Sequence, residues 1–279
     1  ESSYWRTPCP LPTMARGLFI HTKRRAYEIV IRGYDKFFSI DETPSTKMEA
    51  LKRDMMGPYE VSTKENGCIV FIAALSPTRL VVTSKNSLGD EDAPSHPQVG
   101  RQWLLRHLAE ANRTQQEFCQ FLHDQQVTAV FELCDDAFEE HIVAYPPSRR
   151  GLYLHGINRN TVELQTWPME QVERVARAFG FHMVKYHVYH TLDDVLSYCR
   201  SIESEQSIYD NGEQIEGFVL TKGLLAGRNV SPRYAWTVDY LEWCRKARKQ
   251  HPELFEGYQH NHGIIAVRNA FLEWWMAQG

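Results

Sequence analysis

The stretch that decides the fold is Val61-Ser62-Thr63-Lys64-Glu65-Asn66-Gly67-Cys68-Ile69-Val70-Phe71-Ile72. It predicts a strand ending at Lys64, a tight turn and a second strand. Asn66 and Gly67 are the two residues best able to adopt a positive φ or to let a ligand approach the backbone closely. Residues 68–75 form a continuous apolar run, which indicates that the second strand is buried on both faces.

Lys64 is the candidate reactive residue of this stretch. A lysine at the mouth of a buried sheet is partly desolvated, which favours the neutral, nucleophilic amine over the ammonium. The alternative is a solvated turn lysine in an ordinary hairpin, because Lys-x-x-Gly is expected about once by chance in a chain of this length. The motif by itself favours the ordinary hairpin, so its meaning depends on the rest of the chain.

The composition limits the class of protein. The chain has 279 residues, of which 43% are hydrophobic and 24% charged, and its net charge is −4. These values are typical of a soluble globular protein with one large or two modest domains, without a general basic surface for nucleic acid. No apolar run reaches transmembrane length, so we expect no membrane partner. The cysteines form no C-x-x-C pair, which argues against a zinc ribbon or a disulfide scaffold and indicates a reducing compartment.

Periodicity along the chain predicts a mixed α and β architecture. The proline-containing residues 1–13 predict an irregular arm. Strands are predicted at 14–20, 27–32, 79–84, 128–134, 151–157, 183–189 and 215–220, with a further short strand beginning at 162. Helices are predicted at 46–56, twice within 98–125, from Pro168 to Phe179 and at 192–203. From Thr221 helical patterns dominate, so we predict two domains, 1–220 and 221–279.

Two acids stand out within strands that otherwise read as buried, Glu132 and Glu216. A buried carboxylate is costly unless it is paired, hydrogen-bonded or close to a metal. For either acid alone a structural ion pair is the better interpretation. Together with Lys64 and Lys85 on two further strands they predict a convergent site, in which the lysines hold phosphates and the acids fix a ribose or metal-bound water.

The spacing of these motifs resembles that of the covalent nucleotidyltransferases, which include ATP-dependent ligases and mRNA capping enzymes. The matching segments, in order, are Lys64-Glu65-Asn66-Gly67, Ser84-Lys85-Asn86-Ser87, Phe131-Glu132-Leu133, GLYLHG at 151–156 and EGFV at 216–219. Longer strings resemble the ligase domain of fungal tRNA ligases: ARGLF at 15–19, RGYDKFF at 32–38, GPYEVSTKENGCIVFI at 57–72 and FELCDDAFEEHIV at 131–143. The resemblance covers nearly the whole chain.

The resemblance implies an α+β fold: a nucleotidyltransferase, ATP-grasp-like ligase core of antiparallel sheets with flanking helices, followed by an all-helical C-terminal domain. It implies an ATP-dependent RNA ligase that uses Mg²⁺ or Mn²⁺ and joins tRNA exon halves, and the exons of a stress-response mRNA in the unfolded protein response. It also implies fused kinase and cyclic phosphodiesterase domains in the full-length protein. We expect a monomer in the cytoplasm, with the nucleus as a further location.

The resemblance also assigns roles at the reacting centre. Lys64 matches the nucleophile that takes AMP from ATP, and Gly67 gives backbone room at the nucleotide. Glu132 matches a contact to the ribose or to metal-bound water. Glu216 matches the acid that orients the lysine and the hydrated metal, and Lys85 matches the lysine after the nucleophile strand.

Five further positions are implied around the nucleotide and the RNA end. Arg16 and Lys36 match upstream basic residues that help adenylylation, and Phe38 matches their aromatic neighbour. Gly217, next to Glu216, is expected at the nucleotide. His141 matches a histidine suggested to contact the terminal 2′-phosphate of the RNA.

One departure from the family pattern keeps an alternative open. The family has a Lys-x-Lys pair soon after EGFV, whereas here Leu220 is followed directly by Thr221, Lys222 and Gly223. Either a segment between Leu220 and Thr221 is missing, or the chain is a non-catalytic RNA- or nucleotide-binding module of the same fold. A metal-dependent phosphodiesterase rests only on isolated His-Thr pairs. A metal cluster of Cys134-Asp135-Asp136 with His141 is a mixed donor set, and a solvated turn is the better interpretation.

Overall fold

The computed structural model describes residues 14–23, 26–89, 94–203, 209–210, 213–222, 225–230 and 237–277, so the arm predicted at 1–13 lies outside the described residues. The strands are β1 (Leu18–Lys23), β2 (Ala26–Arg32), β3 (Phe38–Ser39), β4 (Tyr59–Lys64), β5 (Cys68–Ser76), β6 (Arg79–Ser84), β7 (Val127–Cys134), β8 (Gly151–Arg159), β9 (His182–Met183), β10 (Tyr186–Tyr189), β11 (Tyr209–Asp210), β12 (Glu213–Gln214), β13 (Gly217–Lys222) and β14 (Leu225–Val230). The α-helices are α1 (Met48–Asp54), α2 (His96–Glu110), α3 (Gln115–Gln125), α4 (Met169–Phe179), α5 (Leu192–Glu203), α6 (Thr237–Gln250) and α7 (Ile264–Met276). Short 3-10 helices cover Pro44–Thr46, Pro147–Arg149 and Pro252–His260.

One five-stranded sheet, which we term the core sheet, has the order β6-β5-β7-β8-β9, with all pairs antiparallel except β8 and β9. Four consecutive residues of β5, 70–73, are fully buried. Val70 and Ile72 pack in the cluster formed with α2, α3 and α4, whereas Phe71 and Ala73 pack in the cluster that contains β2. The prediction that this strand is buried on both faces is therefore confirmed, and its lack of alternation follows from having apolar layers on both sides.

The second five-stranded sheet, which we term the lysine sheet, has the order β10-β4-β13-β14-β3. Its pairs are antiparallel except β14 with β3. Helices α1 and α5 cover one of its faces through a cluster that includes Leu51, Val61, Val195 and Phe218. These interactions fix β4, and therefore Lys64 at its end, against β13.

The predicted hairpin around Lys64 is wrong. β4 pairs with β10 and β13, whereas β5 pairs with β6 and β7, so the turn connects two different sheets. Neither Asn66 nor Gly67 has a positive φ. A Cβ on Gly67 would lie 2.2 Å from the Leu133 carbonyl oxygen, so the glycine is required by the close approach of β7. The two strands have different surroundings. β5 is buried between two apolar layers, whereas β4 ends at the partly exposed Lys64.

Three other predictions are corrected by the sheet topology. The strand predicted at 183–189 is split into β9 and β10, which belong to different sheets, because the chain crosses between the sheets there. The short strand predicted from Val162 is only an isolated bridge, between Asn158 and Thr166. Glu216 lies immediately before β13 rather than inside a strand.

Of the described residues after Leu220, those that form helices begin at Thr237. Strand β13 crosses the predicted boundary at Leu220, and β14 continues the lysine sheet to Val230. Helices α6 and α7 and the 3-10 helix between them share a small apolar cluster that contains Ala247, Phe255 and Val267. The division into domains at 220 and 221 stays a prediction. Within the described residues, no helix combines the length and apolarity needed to cross a membrane.

Candidate active site

A cavity of about 170 Å³ lies where the two sheets meet beside the Lys64 turn. The lysine sheet contributes residues of β4 and β13, and the core sheet contributes residues of β5, β7 and β8. The lining residues are Tyr34, Phe37, Ser62, Thr63, Lys64, Glu65, Ile69, Glu132, His155, Val184 and Val219. The structure thus places Lys64 and Glu132, predicted on separate strands, in one cavity.

Lys64 and Glu216 form the polar centre of the site. Gly217 pairs with Lys64 in the register of β13 and β4, and the Glu216 amide donates to the Lys64 carbonyl oxygen at 3.1 Å. This backbone pairing holds the Glu216 side chain beside the lysine, and Lys64 Nζ donates to Glu216 Oε2. The two side chains are 27% and 33% exposed, so the pair remains accessible to a ligand. The structure thus brings Lys64 and Glu216 into contact, and their roles in a reaction stay predictions.

Asn66 fixes the position of the Glu216 carboxylate. Its Nδ2 donates to Glu216 Oε2 at 2.9 Å, while its Oδ1 accepts from the Val143 amide at 2.9 Å. Its own amide donates to the Tyr145 hydroxyl at 2.8 Å, and that hydroxyl donates to Glu65. From the sequence, Asn66 is expected only to form the turn. A polar amide two residues from the candidate nucleophile Lys64 is the signal that could have identified it.

Glu132 lies on β7 at the base of the cavity. Its Oε1 accepts from the Gly67 amide at 3.2 Å, which ties it to the Lys64 turn. Burial raises the pKa of Glu132 to about 7; the Lys64 charge opposes this shift, and the Glu216 charge adds to it. Glu132 is thus a buried acid that titrates near neutrality, as functional carboxyl groups often do.

His155 also lines the cavity, although it is not among the site residues predicted from the sequence. Burial lowers the pKa of His155 to about 4, so its imidazole is neutral at pH 7. Its Nε2 lies 3.8 Å from Glu132 Oε2 and, among the described residues, is buried with no hydrogen-bond partner. An unpartnered polar atom aimed into a cavity indicates a place for a polar group of a ligand.

Apolar and aromatic side chains form the remaining walls, including Tyr34, Phe37 and Val219. The Tyr34 ring stacks on His155 with centroids 5.5 Å apart, and its hydroxyl donates to the His155 carbonyl oxygen. A Cβ at position 156 would lie 1.6 Å from that hydroxyl, so Gly156 is needed for the tyrosine to reach its place. Flat apolar walls next to a few polar groups suit a nucleobase and its sugar.

Of the predicted nucleotide-binding residues, only Lys64 and Glu132 are lining residues of this cavity. Gly67, Glu216 and Gly217 adjoin these two through hydrogen bonds or strand pairing.

The other four predicted nucleotide-binding residues lie outside this lining. Lys36 pairs with Glu42 at 2.9 Å, and its ammonium lies 4.2 Å from the centroid of the Phe38 ring. Burial lowers the pKa of Lys85, and the positive charge of Arg16 lowers it further. Neither Arg16 nor Lys85 is a lining residue of the cavity. The roles assigned to Arg16, Lys36, Phe38 and Lys85 stay predictions.

His141 lies in the loop after β7, outside the cavity. Its Nε2 is 3.7 Å from Cys68 Sγ and 3.7 Å from a Glu139 carboxylate oxygen. Its role at an RNA 2′-phosphate stays a prediction. Among the described residues, those with which His141 could share a metal ion are Cys68 and Glu139. They are not Cys134, Asp135 and Asp136, the cluster considered from the sequence, and Cys134 is buried on β7.

Comparison with known proteins places these residues in a family. A family model described as RNA ligase matches residues 14–245. The chain is 38% identical over 304 residues to tRNA ligase 1 of Schizosaccharomyces pombe, covering 94% of this chain and 38% of that protein. It is 34% identical over 332 residues to tRNA ligase of Candida albicans, covering 98% and 39%. The chain thus spans about two fifths of the length of these relatives.

Solved structures show the same fold at low sequence identity. An archaeal ATP-dependent RNA ligase matches with a TM-score of 0.55 and 15% identity, covering 94% of this chain and 62% of that one. A variant of the Naegleria gruberi RNA ligase with ATP and Mn matches with a TM-score of 0.52 and 14% identity, covering 84% and 63%. At these identities the match concerns the fold alone, a mixed α and β architecture of several sheets with flanking helices.

Proposed function

The chain belongs to the RNA ligase family, and from this premise we propose that it transfers AMP from ATP to Lys64 as the first step in joining RNA ends. The observation that carries the proposal is the contact of Lys64 Nζ with Glu216 at a cavity that also holds Glu132. A nucleophilic lysine needs an adjacent group that orients it and accepts its proton, and Glu216 is placed to do both.

The residues around the cavity fit an adenine nucleotide. Tyr34, Phe37 and Val219 supply apolar walls for the base, and the unpartnered Nε2 of His155 offers a hydrogen bond to a polar group of the nucleotide. Glu132 and Glu216 supply carboxylate oxygens, the donors that Mg²⁺ and Mn²⁺ prefer, directly or through water. Such a metal ion, when bound, neutralises phosphate charge and assists the departure of pyrophosphate.

The reaction follows from these positions. The Lys64 ammonium first loses one proton to solvent, and the neutral amine attacks the α-phosphorus of ATP. A P–N bond forms, the bond to pyrophosphate breaks, the second proton passes from the nitrogen to the Glu216 carboxylate, and Lys64 carries AMP. The 5′-phosphate of the RNA then displaces the lysine nitrogen, which takes that proton back as it leaves, to give an RNA-adenylate. The RNA 3′-hydroxyl attacks the 5′-phosphorus of the RNA, gives its proton to solvent and releases AMP. Asn66 keeps Glu216 in place through these steps by its hydrogen bond to the carboxylate.

We further propose that the RNA is a pair of tRNA exon ends, because the chain is similar to two proteins named tRNA ligases. The parts of these relatives that the chain does not match leave room for the predicted kinase and cyclic phosphodiesterase domains. Joining of stress-response mRNA exons, a monomeric state and a cytoplasmic and nuclear location remain predictions from the resemblance.

One observation favours a second candidate, a module that binds nucleotide or RNA without adenylylation. In this chain β13 continues from Leu220 through Thr221 to Lys222, without the expected lysine pair. Both alignments, of 304 and 332 residues, are longer than the 279-residue chain, so the relatives carry residues within the matched region that this chain lacks. Without those lysines the ATP phosphates lose two expected contacts.

Intact mass spectrometry separates the two candidates. The chain is incubated with ATP and Mg²⁺, and in parallel with Mn²⁺, and the mass of the protein is measured before and after addition of pyrophosphate. The ligase proposal expects an increase by one AMP that pyrophosphate reverses and that Lys64→Ala abolishes. Retained nucleotide binding with no covalent adduct under either metal would support the binding module and overturn the ligase proposal.

A further inference from the structure

A second group of chemically active side chains lies on the other side of the Lys64 turn. Cys68, the first residue of β5, approaches Glu139 and His141 in the loop after β7. Cys68 Sγ is 3.7 Å from Glu139 Oε2 and 3.7 Å from His141 Nε2, and His141 Nε2 is 3.7 Å from Glu139 Oε1. The cysteine sulfur and the histidine nitrogen thus each approach a different oxygen of the same carboxylate, and one ligand atom from each residue lies within 4.8 Å of the other two.

The spacing of these groups is close to that of a tetrahedral metal site. Zinc binds cysteine sulfur at about 2.3 Å and histidine nitrogen or carboxylate oxygen at about 2.0–2.2 Å, so tetrahedral ligands lie about 3.4–3.6 Å apart. The sulfur-to-nitrogen distance of 3.7 Å is near this range, and each of these two atoms is 3.7 Å from one oxygen of the Glu139 carboxylate, so a small rotation of that carboxylate brings the ligands to an ion. All three side chains are partly exposed, which leaves an access route and a fourth position for water or a further ligand.

Neighbouring groups already hold the carboxylate. His96 Nε2 lies 2.8 Å from Glu139 Oε2, and Asn261 Nδ2 donates to Glu139 Oε1 at 2.9 Å. The His96 ring is in turn placed edge to face against Phe138, with centroids 5.2 Å apart. Outer partners of this kind fix the orientation of a metal ligand and raise the affinity of the site.

We propose that Cys68, Glu139 and His141 bind one Zn²⁺ ion. Sulfur, imidazole and carboxylate together suit zinc, whereas Mg²⁺ and Mn²⁺ prefer oxygen ligands, so this site is distinct from the one proposed for the reaction. The Cys68 thiol releases its proton to solvent as the Zn–S bond forms. The resulting thiolate and the Glu139 carboxylate balance the charge of the ion. A phosphate group bound at His141 would instead lie next to the Glu139 carboxylate, which carries a charge of the same sign.

The site has a structural consequence, which does not depend on the ligase reaction. The loop that carries Glu139 and His141 also holds the C-terminal helices: the Glu140 amide donates to the Asn261 carbonyl oxygen at 2.7 Å, and Arg268 donates to the Ile142 carbonyl oxygen at 2.9 Å. Cys68 directly follows Gly67 of the active-site turn. A bound zinc ion therefore connects the end of the catalytic turn to the segment on which the C-terminal helices rest.

The test uses the full chain, freed of metal with a chelator and titrated with Zn²⁺ against a chromophoric chelator, and with Co²⁺ as a spectroscopic substitute. We expect about one equivalent of Zn²⁺ per chain and a thiolate-to-cobalt charge-transfer absorption. Cys68→Ser should lose the absorption and most of the affinity. The matched control Cys244→Ser, a partly exposed cysteine on α6, should retain both. His96→Ala should weaken zinc binding roughly 10–100-fold.

Circular dichroism of the metal-free proteins shows whether each variant folds, and thermal unfolding with and without Zn²⁺ gives a second measure. Zinc should raise the melting temperature of the wild type and of Cys244→Ser, but not that of Cys68→Ser. Stoichiometric zinc binding that is equal in folded Cys68→Ser, or no zinc binding by the wild type, would overturn the proposal. Protection of the wild type by inorganic phosphate instead of Zn²⁺ would also overturn it, in favour of the 2′-phosphate role of His141.

Discussion

The two five-stranded sheets differ in what they contribute to the site. In the core sheet, β5 is fully buried over residues 70–73 between helices on one side and β2 on the other. The lysine sheet instead ends, at Lys64 and just before Gly217, in two charged side chains that remain about a quarter to a third exposed. The core sheet supplies a tightly packed wall with one largely buried acid, Glu132, and the lysine sheet supplies the pair that we propose to be reactive. The proposed chemistry is thus placed at strand ends, where a fully buried layer meets an accessible one.

The largest effect is expected from substitutions of Lys64, at the end of β4 in the lysine sheet. Lys64→Ala should abolish both the AMP adduct and RNA joining, and Lys64→Arg should fail equally because a guanidinium stays protonated and does not attack phosphorus. Adduct formation and sealing are measured separately by mass spectrometry and gel electrophoresis. Lys52→Ala, at an exposed lysine of α1, is the control that should remain active. Substantial sealing by either Lys64 variant would contradict the mechanism.

The next effect concerns the partner of the lysine. Glu216→Ala should reduce the rate of adenylylation by about 10²–10³-fold, because it removes an oriented charge next to the reacting centre. Since the Glu216 side chain is a third exposed, the melting temperature should change little. If the variant instead melts much earlier and keeps normal turnover per folded molecule, Glu216 is a structural ion-pair residue and the comparison between the two sheets fails.

Asn66 should show an intermediate effect. Asn66→Ala removes the hydrogen bond that positions Glu216 and the acceptor of the Val143 amide. Hydrogen bonds to charged groups contribute about 1.5–3 kcal/mol, so we expect adenylylation to slow by about 10–100-fold. Because Asn66 acts through Glu216, the double variant with Glu216→Ala should be no slower than Glu216→Ala alone. Additive losses in that double-mutant cycle would show that Asn66 acts independently.

The next prediction concerns Glu132, the acid on the core sheet, and the pH dependence that it gives to the stability of the protein. Its folded pKa of about 7 lies above the unfolded value, so between about pH 4.5 and 7 the unfolded chain binds fewer protons than the folded one. The contribution of Glu132 to stability is therefore present at low pH and lost as pH rises through this window. Glu132→Gln should raise the melting temperature relative to the wild type at pH 8 but not at pH 5, while lowering ligase activity. The same difference at both pH values would contradict the raised pKa.

The smallest effect is expected from a substitution in the buried strand β5, and it tests whether that strand contributes directly to the reaction. Ile72→Val removes one methylene from β5 and should cost about 0.5–1.5 kcal/mol in the free energy of unfolding, measured by denaturant titration. Adenylylation per folded molecule should be unchanged. A loss of turnover comparable to that of Asn66→Ala would show that β5 transmits small packing changes to Lys64, so that rigidity and chemistry are not separable.

Much of the local structure could be predicted from the sequence. The limits predicted for β6 and for α5 agree with the structure, because the alternation of apolar residues and the turn residues at each end act locally. The family resemblance identified Lys64, Glu132 and Glu216, which the structure brings together. It also implies a place for Lys36 at the nucleotide, which stays a prediction; in the structure Lys36 is paired with Glu42.

The arrangement of the strands could not be predicted in this way. The turn after Lys64 has the local features of a hairpin, yet its two strands belong to different sheets, because β4 is paired by β13 and β10 and β5 by β6 and β7. The burial that selects these partners involves segments far apart in sequence. No local pattern at 64–67 contains that information.

The sequence by itself determined the family, the candidate nucleophile Lys64 and most helices and strands, since these depend on residue type and short-range periodicity. Only the tertiary structure decided which side chains meet: Lys64 with Glu216, 152 residues away, and Asn66 with the same carboxylate. It alone placed His155 in the cavity and brought Cys68 to Glu139 and His141. The physical reason is that such contacts are set by sheet pairing and the burial of whole layers, which act between distant parts of the chain.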